Sequence, residues 1–303
     1  MRLTSMSGEA EKITNAMTVD VEDYFHVTAF AQTLDRARWP TLESRVEQNT
    51  RRLLEVFGRR GVRATFFVLG WVAERAPALI RELHRAGHEI ACHGLTHELV
   101  YKQTPALFRT ETQRAKSLLE DLTGAKVRGY RAATYSITAQ SLWALDILEE
   151  LGFEYDSSVF PVRHDLYGIP GASRRPFRVA SGKLLEVPLT TIKLLGQHLP
   201  CAGGGYFRLL PYGVFRWAVR RANREGLPAV FYMHPWEIDP GQPRIDAPWR
   251  SRFRHYTNLH RTEARLEALI GDFRWASMED VFLRAQPSHD AVALAPALAG
   301  GSA

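Results

Sequence analysis

Acidic side chains that could bind a metal ion or accept a proton cluster where the first predicted strand ends. The stretch "MTVDVEDYFHV" begins as a buried strand and then places Asp20, Glu22 and Asp23 within four residues. A buried carboxylate has to be hydrated, hydrogen-bonded or paired with a cation. The three carboxylates therefore predict a compensating cation or arginine nearby.

Two histidines with metal-ligand spacing follow the third predicted strand. The stretch "CHGLTHELVY" carries His93 and His97, and Gly94 between them indicates a strand-to-loop turn that can aim both imidazoles at one point. Two histidines and a carboxylate form a hydrolytic zinc set, which leaves a coordination position for a water of lowered pKa. The expected cofactor is one divalent metal ion, most simply Zn²⁺.

The elements that must position these side chains follow a β-α pattern. Apolar runs rich in β-branched and aromatic residues alternate with amphipathic stretches, which is typical of β-α units around a parallel sheet. The predicted strands are 16–21, 63–69, 88–92, 127–131, 153–156, 184–189, 229–233 and 273–277. The predicted helices are 41–59, 72–86, 105–122, 139–151, 211–225, 262–271 and 278–284. Because parallel α/β sheets build their sites at the carboxyl ends of strands, polar residues that follow the strands are the candidates for chemistry.

The composition is that of an ordinary globular protein. The 303 residues are 45% hydrophobic, and the formal net charge of +6 comes from basic residues that are scattered along the chain. No nucleic-acid-binding motif accompanies this charge, so no nucleic acid partner is expected. A helix at 211–225 carries Arg216, Arg220, Arg221 and Arg224 and is expected to be a solvated amphipathic helix, with contact to a membrane surface as a secondary expectation.

The ends of the chain predict flexible segments around one domain. Residues 1–13 lack the apolar run of a secretion signal, and no stretch approaches the roughly 18 apolar residues of a transmembrane helix. A cytoplasmic protein without a transmembrane segment is therefore expected. Residues 14–285 are predicted to form the domain, and the small, Pro/Gly/Ala-rich residues 286–303 are predicted to be a disordered tail.

Five strings resemble the polysaccharide deacetylase (NodB homology) family of carbohydrate esterases. In chain order they are "TVDVED", "HGLTH", "RGYRAATYSI", "YDSSVFP" and "VFYMHPWEID", each at the end of a predicted strand. Three further strings, "GGGYFRLLPY", "HPWEIDPGQPR" and "HYTNL", resemble the branch of that family linked to exosortase-type exopolysaccharide loci. The resemblance implies an α/β fold, a distorted (β/α) barrel, with a family-specific extension at about 200–285.

The resemblance also implies a role for each matched position. Asp20 matches the general base, and Arg131 matches the arginine that pairs with this base. His93 and His97 match the metal ligands. His234 matches the general acid, and Asp156 matches the aspartate that stabilises the protonated form of that acid. Metal, base and acid together meet the needs of amide hydrolysis, namely a nucleophile, stabilisation of an oxyanion and a proton for the leaving amine.

The sequence departs from the family at two positions. The commonest first motif has two adjacent aspartates, but here Val21 follows Asp20, so the third metal ligand is Glu22 or Asp23. The period of two in a strand favours Glu22, whereas a chain that already turns would present Asp23. The second departure is Ala133 in place of the usual proline, in the loop whose backbone N–H near Thr134 is expected to help form the oxyanion hole.

Aromatic residues near these motifs are candidates for binding a substrate. Tyr135, Tyr206 and Trp236 are core residues by default, but in a glycan enzyme they could stack on sugar rings. The resemblance implies a deacetylase that hydrolyses N-acetyl groups of amino sugars in a cell-surface or exopolysaccharide precursor and releases acetate. Two alternatives remain: a hydrolase of a small non-sugar amide on the same scaffold, and a glycan-binding protein without catalysis.

Overall fold

The structure is a computed structural model and describes residues 13–179 and 182–284. The predicted tail at 286–303 lies outside the described residues, as does all of the predicted flexible N-terminus except residue 13.

Strands and helices alternate along most of the described chain. The strands are β1 (Thr14–Val21), β2 (Thr65–Val68), β3 (Glu89–Cys92), β4 (Gly129–Tyr130), β5 (Tyr155–Asp156), β6 (Phe177–Arg178), β7 (Leu185–Glu186), β8 (Thr191–Leu194), β9 (Gln197–Pro200), β10 (Val230–Met233) and β11 (Arg274–Ala276). The helices are α1 (Val46–Arg60), α2 (Gly70–Arg75), α3 (Pro77–Arg85), α4 (Pro105–Thr123), α5 (Trp143–Glu150), α6 (Gly204–Leu209), α7 (Tyr212–Arg224), α8 (Trp249–Tyr256) and α9 (Leu259–Asp272). Short 3₁₀ turns connect several of these elements, and a π-helical turn spans Glu279–Arg284.

The main sheet is a curled half-barrel, as the sequence predicts. Its strands follow the order β10-β1-β2-β3-β4-β5-β7-β6, and β11 also pairs with β1. All of these pairings are parallel except that of β6 with β7. Parallel strands joined by helices require both faces of the sheet to be covered, and β1 is accordingly buried along nearly its whole length.

Alternation along β1 decides which side chains face the inside of the half-barrel. Met17, Val19 and Val21 pack in the large core between the sheet and the helices, whereas Ala16 packs in the inner core. Since successive side chains of a strand point to opposite faces, Asp20 shares the inner side with Ala16. The strand therefore delivers this carboxylate to the interior of the half-barrel, at its carboxyl end.

The structure contains every predicted strand and adds elements that the sequence reasoning missed. The predicted helix at 72–86 is divided into α2 and α3, because Pro77 starts a new helix. The missed elements are β6, the β8–β9 hairpin, α6 and α8. The hairpin turns at Leu195 and Gly196, which both have positive φ (48° and 80°), as a two-residue turn of the favoured hand requires.

Gly203, which directly precedes α6, packs closely against the backbone of β10. Gly203 has φ 138°, and a Cβ at this position would lie 1.9 Å from the backbone oxygen of Tyr232. A larger residue would therefore push α6 away from β10. This contact explains part of the "GGG" string.

The arginine-bearing helix forms as predicted and is α7. Val214, Trp217, Arg220 and Arg224 form its exposed face, while Phe215 is buried. Contact of this face with a membrane surface stays a prediction. Among the helices of the described ranges, none has the length and apolar composition needed to cross a bilayer.

Candidate active site

Glu22, His93 and His97 converge at the carboxyl ends of the first and third strands. Each offers one ligand atom, and these atoms lie within 4.8 Å of one another. All three residues are buried, and Nε2 of His97 lies 2.6 Å from Oε2 of Glu22. The structure thus brings together the two histidines and one of the two carboxylates that the sequence left as alternatives.

Backbone contacts fix the two histidines in place. The His93 N–H donates to the carbonyl of Val68 at 2.9 Å, which continues the β2–β3 pairing. His93 Nδ1 donates to the carbonyl of Arg131 at 2.8 Å, and this bond leaves Nε2 as the ring nitrogen with a free lone pair. His97 itself has φ 56°, a strained conformation for a residue with a side chain.

The chemistry of this trio fits a divalent cation. Oε2 of Glu22 is buried and is in contact with Nε2 of His97. Burial lowers the pKa of His93 to about 4, so the ring is neutral, as a metal ligand must be. Burial raises the pKa of Glu22, but the charges of His97 and His234 outweigh this effect and lower its pKa overall. A carboxylate and two imidazoles are a ligand set for Zn²⁺ and similar ions.

Asp20 lies beside this trio and is held by Arg131. Nη1 of Arg131 donates to Oδ1 of Asp20 and to Oγ1 of Thr18, both at 2.7 Å. The same guanidinium donates to the carbonyl and hydroxyl of Ser157, both at 3.2 Å. Arg131 is fully buried, and its guanidinium carbon lies 4.0 Å from the ring centroid of Phe67. The predicted pairing of Asp20 with Arg131 is therefore present in the structure.

His234 faces Asp20 and Glu22 across the site. Its Nε2 lies 4.0 Å from Oδ2 of Asp20 and 3.4 Å from Oε1 of Glu22. Its Nδ1 donates to Oε1 of Glu237 at 2.8 Å. Burial lowers the pKa of His234, but the charge of Glu22 and the hydrogen bond to Glu237 outweigh it and raise the pKa to about 9. The ring is therefore protonated near neutral pH in this environment.

Asp23 is not part of this cluster. Its Oδ2 accepts hydrogen bonds from Ser44 Oγ at 2.7 Å and from the N–H groups of Arg45 and Val46 at 2.8 and 3.1 Å. Its Oδ1 caps the following 3₁₀ turn by accepting from Tyr24 N–H at 3.0 Å. Four donors thus hold Asp23 at the start of α1, and the structure does not support the alternative in which it is the third ligand.

Asp156 is not the partner of His234, which corrects the role implied by the resemblance. Its carboxylate lies beside that of Glu186 across the β5–β7 pairing, and its Oδ1 accepts from Ser158 Oγ at 2.6 Å. Glu186 Oε1 accepts from Val159 N–H at 3.0 Å. Burial raises the pKa of Asp156, and burial together with the charge of Asp156 raises that of Glu186 well above its usual range. The two acids form a buried pair of their own.

The loop that follows β4 has left-handed backbone at two residues. Thr134 and Tyr135 have φ 54° and 55°, and the Tyr135 hydroxyl donates to Oδ2 of Asp20 at 3.4 Å. The Thr134 hydroxyl lies 2.6 Å from that of Thr28. The structure therefore places Tyr135 next to Asp20, and the oxyanion role of the Thr134 N–H stays a prediction.

Trp236 and Tyr206, the other two aromatic candidates for stacking on a sugar ring, differ in how far they are exposed. Trp236 is only 4% exposed and stacks with His234 and His255, with ring centroids 5.1 and 4.1 Å away. Because neighbouring imidazoles cover this ring, the prediction that it stacks on a sugar is wrong. Tyr206 is half-buried and hydrogen-bonds with Tyr167, so it remains a candidate.

A cavity of about 540 Å³ adjoins the trio on the side of His97. One wall is the segment that follows the first motif, including Phe25, Ala31 and Trp39, and the other wall includes His97 and Lys102. Arg36 ties the two walls together, since its Nη1 lies 2.5 Å from Glu98 Oε2. The size is that of a pocket for a small or oligomeric ligand.

Sequence reasoning missed Glu237, Arg208 and Glu186. A local signal for Glu237 was present, because "HPWE" places a proline at the first helical position and a glutamate at the third. The His234 N–H indeed donates to Oε1 of Glu237 at 3.0 Å. Arg208 and Glu186 carry no such local signal, since their partners lie far away in the chain.

The described chain is an α/β half-barrel that gathers a carboxylate and two histidines at the carboxyl ends of its strands. Residues 26–155 match the family "Polysaccharide deacetylase", and residues 157–283 match a "Domain of unknown function (DUF3473)". The resemblance to polysaccharide deacetylases that was read from the sequence motifs is thus confirmed over residues 26–155. The narrower branch linked to exopolysaccharide loci stays a prediction.

Individual relatives agree with this family. A Bacillus subtilis (strain 168) protein, YheN, assigned as a polysaccharide deacetylase, is 30% identical over 40% of this chain and 43% of its own length. A chitooligosaccharide deacetylase of Bradyrhizobium sp. (strain ANU 289) is 31% identical over 32% of this chain and 42% of its own length. The chain therefore spans less than half the length of these curated relatives.

Solved structures share the fold over most of the chain. A Mycobacterium smegmatis protein assigned as a polysaccharide deacetylase superposes with a TM-score of 0.62 at 23% identity and covers 90% of both chains. Puue allantoinase superposes with a TM-score of 0.58 at 17% identity, again over 90% of both chains. At these identities the comparison establishes the half-barrel fold.

Proposed function

We propose that this protein is a metal-dependent deacetylase that hydrolyses N-acetyl groups of amino-sugar residues in a cell-surface or exopolysaccharide chain or its precursor, releasing acetate. The observation that carries the proposal is the position of two proton-transfer groups beside the trio of Glu22, His93 and His97. Oδ2 of Asp20 and Nε2 of His234 lie 4.0 Å apart at its edge.

Asp20 and His234 each carry out one of the two proton transfers of amide hydrolysis. Asp20 accepts a proton from the attacking water, and Arg131 holds its other oxygen so that Oδ2 faces the site. His234 Nε2 donates a proton to the leaving nitrogen when the bond between carbonyl carbon and nitrogen breaks. The products are acetate and the free amine of the sugar. Glu22, His93 and His97 would hold a divalent cation, which polarises an acyl oxygen and acidifies water when bound.

Two features favour a glycan as the substrate. The cavity of about 540 Å³ beside His97 offers room for sugar units on one side of an acetyl group held at the trio. The relative named above as a chitooligosaccharide deacetylase matches part of this chain at 31% identity. A small non-sugar amide would leave most of this cavity unfilled.

The experiment combines metal analysis with acetate release. Purified protein is assayed on N-acetylated oligosaccharides and on small amides such as allantoin, with and without a chelator, and its metal content is measured. We expect acetate from the oligosaccharides, loss of activity with the chelator and recovery with added Zn²⁺. Turnover of the small amides alone would establish the alternative hydrolase, and glycan binding without any turnover would establish a lectin.

The variant Asp20→Asn tests the base directly. It preserves the shape of the side chain but removes its ability to accept a proton, so kcat should fall by about a thousandfold or more. The metal content should stay at the wild-type level, because Asp20 is outside the trio. Wild-type turnover in this variant would contradict the assignment.

A further inference from the structure

We propose that Glu237, held in place by Arg208, positions the imidazole of His234 for proton donation, so that residues of the 157–283 region perform the task that the family resemblance gives to Asp156. The inference rests on the proposed deacetylase function and names the residues on which its acid step depends. Glu237 is a positioning residue here, since it acts through His234.

One oxygen of Glu237 fixes His234 at two points. Oε1 accepts from the His234 backbone N–H at 3.0 Å and from Nδ1 at 2.8 Å. The first contact holds the backbone that carries the ring, and the second sets its rotation. With Nδ1 engaged, Nε2 is directed towards Asp20 and Glu22. A carboxylate in this position also keeps the proton of Nδ1 in place while Nε2 exchanges its own.

The other oxygen of Glu237 is fixed by Arg208. Nε of Arg208 donates to Oε2 of Glu237 at 2.7 Å, and both side chains are at most 3% exposed. The charge of Arg208 lowers the pKa of Glu237 to about 2 against the effect of burial, so the acceptor stays ionised. The guanidinium is held in turn, because its Nη1 donates to the carbonyls of His255 and Thr257 at 2.8 and 3.0 Å.

Stacked rings complete this support. Trp236 lies 15° from parallel to His234, and His255 lies 17° from parallel to Trp236. Nε2 of His255 lies 2.6 Å from the side-chain oxygen of Gln242. The strings "GGGYFRLLPY", "HPWEIDPGQPR" and "HYTNL" therefore meet around one imidazole. This convergence gives the region from 157 to 283 a specific task in the proposed reaction.

Asp156 has no place in this arrangement. Its polar contacts are with Ser158 and with Glu186, and the groups around His234 are Glu237, Asp20 and Glu22. The two candidate partners of the acid can therefore be separated by mutation.

The test compares two leaving groups in the metal-loaded full-length protein. An amine needs a proton to leave, whereas the phenolate of an aryl acetate does not. In Glu237→Gln we expect kcat on the N-acetylated oligosaccharide to fall about 100-fold with KM within about threefold, and kcat on the aryl acetate to fall less than about fivefold. Asp156→Asn should leave the ratio of the two activities unchanged. The matched control is Glu225→Gln, which alters another ion pair of the same region, that of Arg174 and Glu225.

Glu237→Gln leaves Arg208 buried without its partner, so two further measurements guard against a folding defect. The double variant Arg208→Gln with Glu237→Gln removes both charges and should show the same selective loss. In protein labelled with ¹⁵N-histidine, the Nδ1–H resonance of His234, identified by its loss in His234→Asn, should move upfield in Glu237→Gln and stay in place in Asp156→Asn.

The outcomes separate the inference from the function on which it rests. Wild-type protein that releases no acetate from any amide overturns the proposed function. Wild-type protein that is active, with an unchanged activity ratio and resonance in Glu237→Gln, overturns the inference alone. A changed ratio in Asp156→Asn would return the positioning role to that residue.

Discussion

Two buried arginine–carboxylate pairs flank the candidate site, one from each half of the chain. In the first half Arg131 holds Asp20, and in the second half Arg208 holds Glu237, each with a nitrogen–oxygen distance of 2.7 Å. The first pair presents its carboxylate to the site directly, whereas the second acts through His234. A buried ion pair need not stabilise a fold, but it fixes a carboxylate in one geometry, and both sides of this site use that property.

The difference between the pairs lies in where their residues come from. Asp20 and Arg131 stand at the ends of two strands of the half-barrel, so the sheet itself brings them together. Glu237 and Arg208 come from a 3₁₀ turn and from α6, whose position depends on the packing of Gly203 against β10. The barrel therefore positions Asp20, and the segments added around it position His234.

The largest effect that would test this comparison is expected from Arg131→Lys. Lysine keeps the charge but not the planar fork, so the bonds to Asp20, Thr18 and Ser157 cannot all be retained. We expect kcat to fall at least about 100-fold and the free energy of unfolding to fall by about 3 kcal/mol. Arg128→Lys, in a surface ion pair with Glu154, is the control and should change stability by less than about 0.5 kcal/mol. A fully active Arg131→Lys enzyme would show that the barrel pair is dispensable.

An intermediate effect is expected from filling the cavity beside His97. Ala31 is exposed and lines this cavity, so Ala31→Trp should obstruct it without disturbing the core. We expect KM for an N-acetylated oligosaccharide to rise about tenfold, or about 1.4 kcal/mol, while turnover of an aryl acetate stays unchanged. Steady-state kinetics on both substrates measures the difference. An equal KM in the variant would mean that the glycan lies elsewhere.

The smallest effect is expected from Asp156→Asn and concerns stability. Burial and the charge of Asp156 raise the pKa of Glu186 well above its value of 4.5 in an unfolded chain. A raised pKa means that the folded state binds more protons, so stability is fully present below pH 4.5 and is lost as the pH rises towards the folded pKa. Removal of the Asp156 charge should reduce this loss and increase the free energy of unfolding by about 1 kcal/mol at pH 8.

Urea denaturation at pH 5 and pH 8 measures this effect. The wild-type protein should be less stable at pH 8 than at pH 5, and the difference should be smaller in Asp156→Asn. An unchanged difference would indicate that burial alone raises the pKa of Glu186. Turnover of the oligosaccharide should stay within about threefold of wild type, since Asp156 contacts Ser158 and Glu186 and the side chain of His234 is held by Glu237.

The sequence predicted the half-barrel and the convergence of Asp20, Glu22 and the two histidines at its strand ends. Period-two alternation placed Asp20 and Glu22 on one side of β1, and the structure shows Glu22 with both histidines. These residues sit at strand ends, where local pattern and parallel pairing together determine position. The sequence left the choice between Glu22 and Asp23 open, because it depends on where the chain turns after β1, and the Glu22 N–H donates to the Asp20 carbonyl at 3.0 Å in this turn.

The surroundings of His234 were predicted only in part. His234 followed an apolar strand and could be located, but its partner depends on contacts over long separations in the chain. Arg208 and Glu237 are 29 residues apart and meet because α6 packs beside β10. Trp236 was a candidate for stacking on a sugar ring. The sequence alone does not show that neighbouring imidazoles cover this indole ring. Such contacts follow from tertiary packing, which local pattern does not encode.

The two adjacent carboxylates after β1 have different partners. Glu22 contacts His97 inside the half-barrel, whereas Asp23 accepts hydrogen bonds from backbone N–H groups at the start of α1. Loss of Val21 would move Asp23 into the place of Glu22 and Tyr24 into the place of Asp23, so the histidines would keep an acid and the helix would lose its anchor. The number of residues in this join is therefore as constrained as their identity, because it decides which side chain reaches the histidines and which reaches the helix.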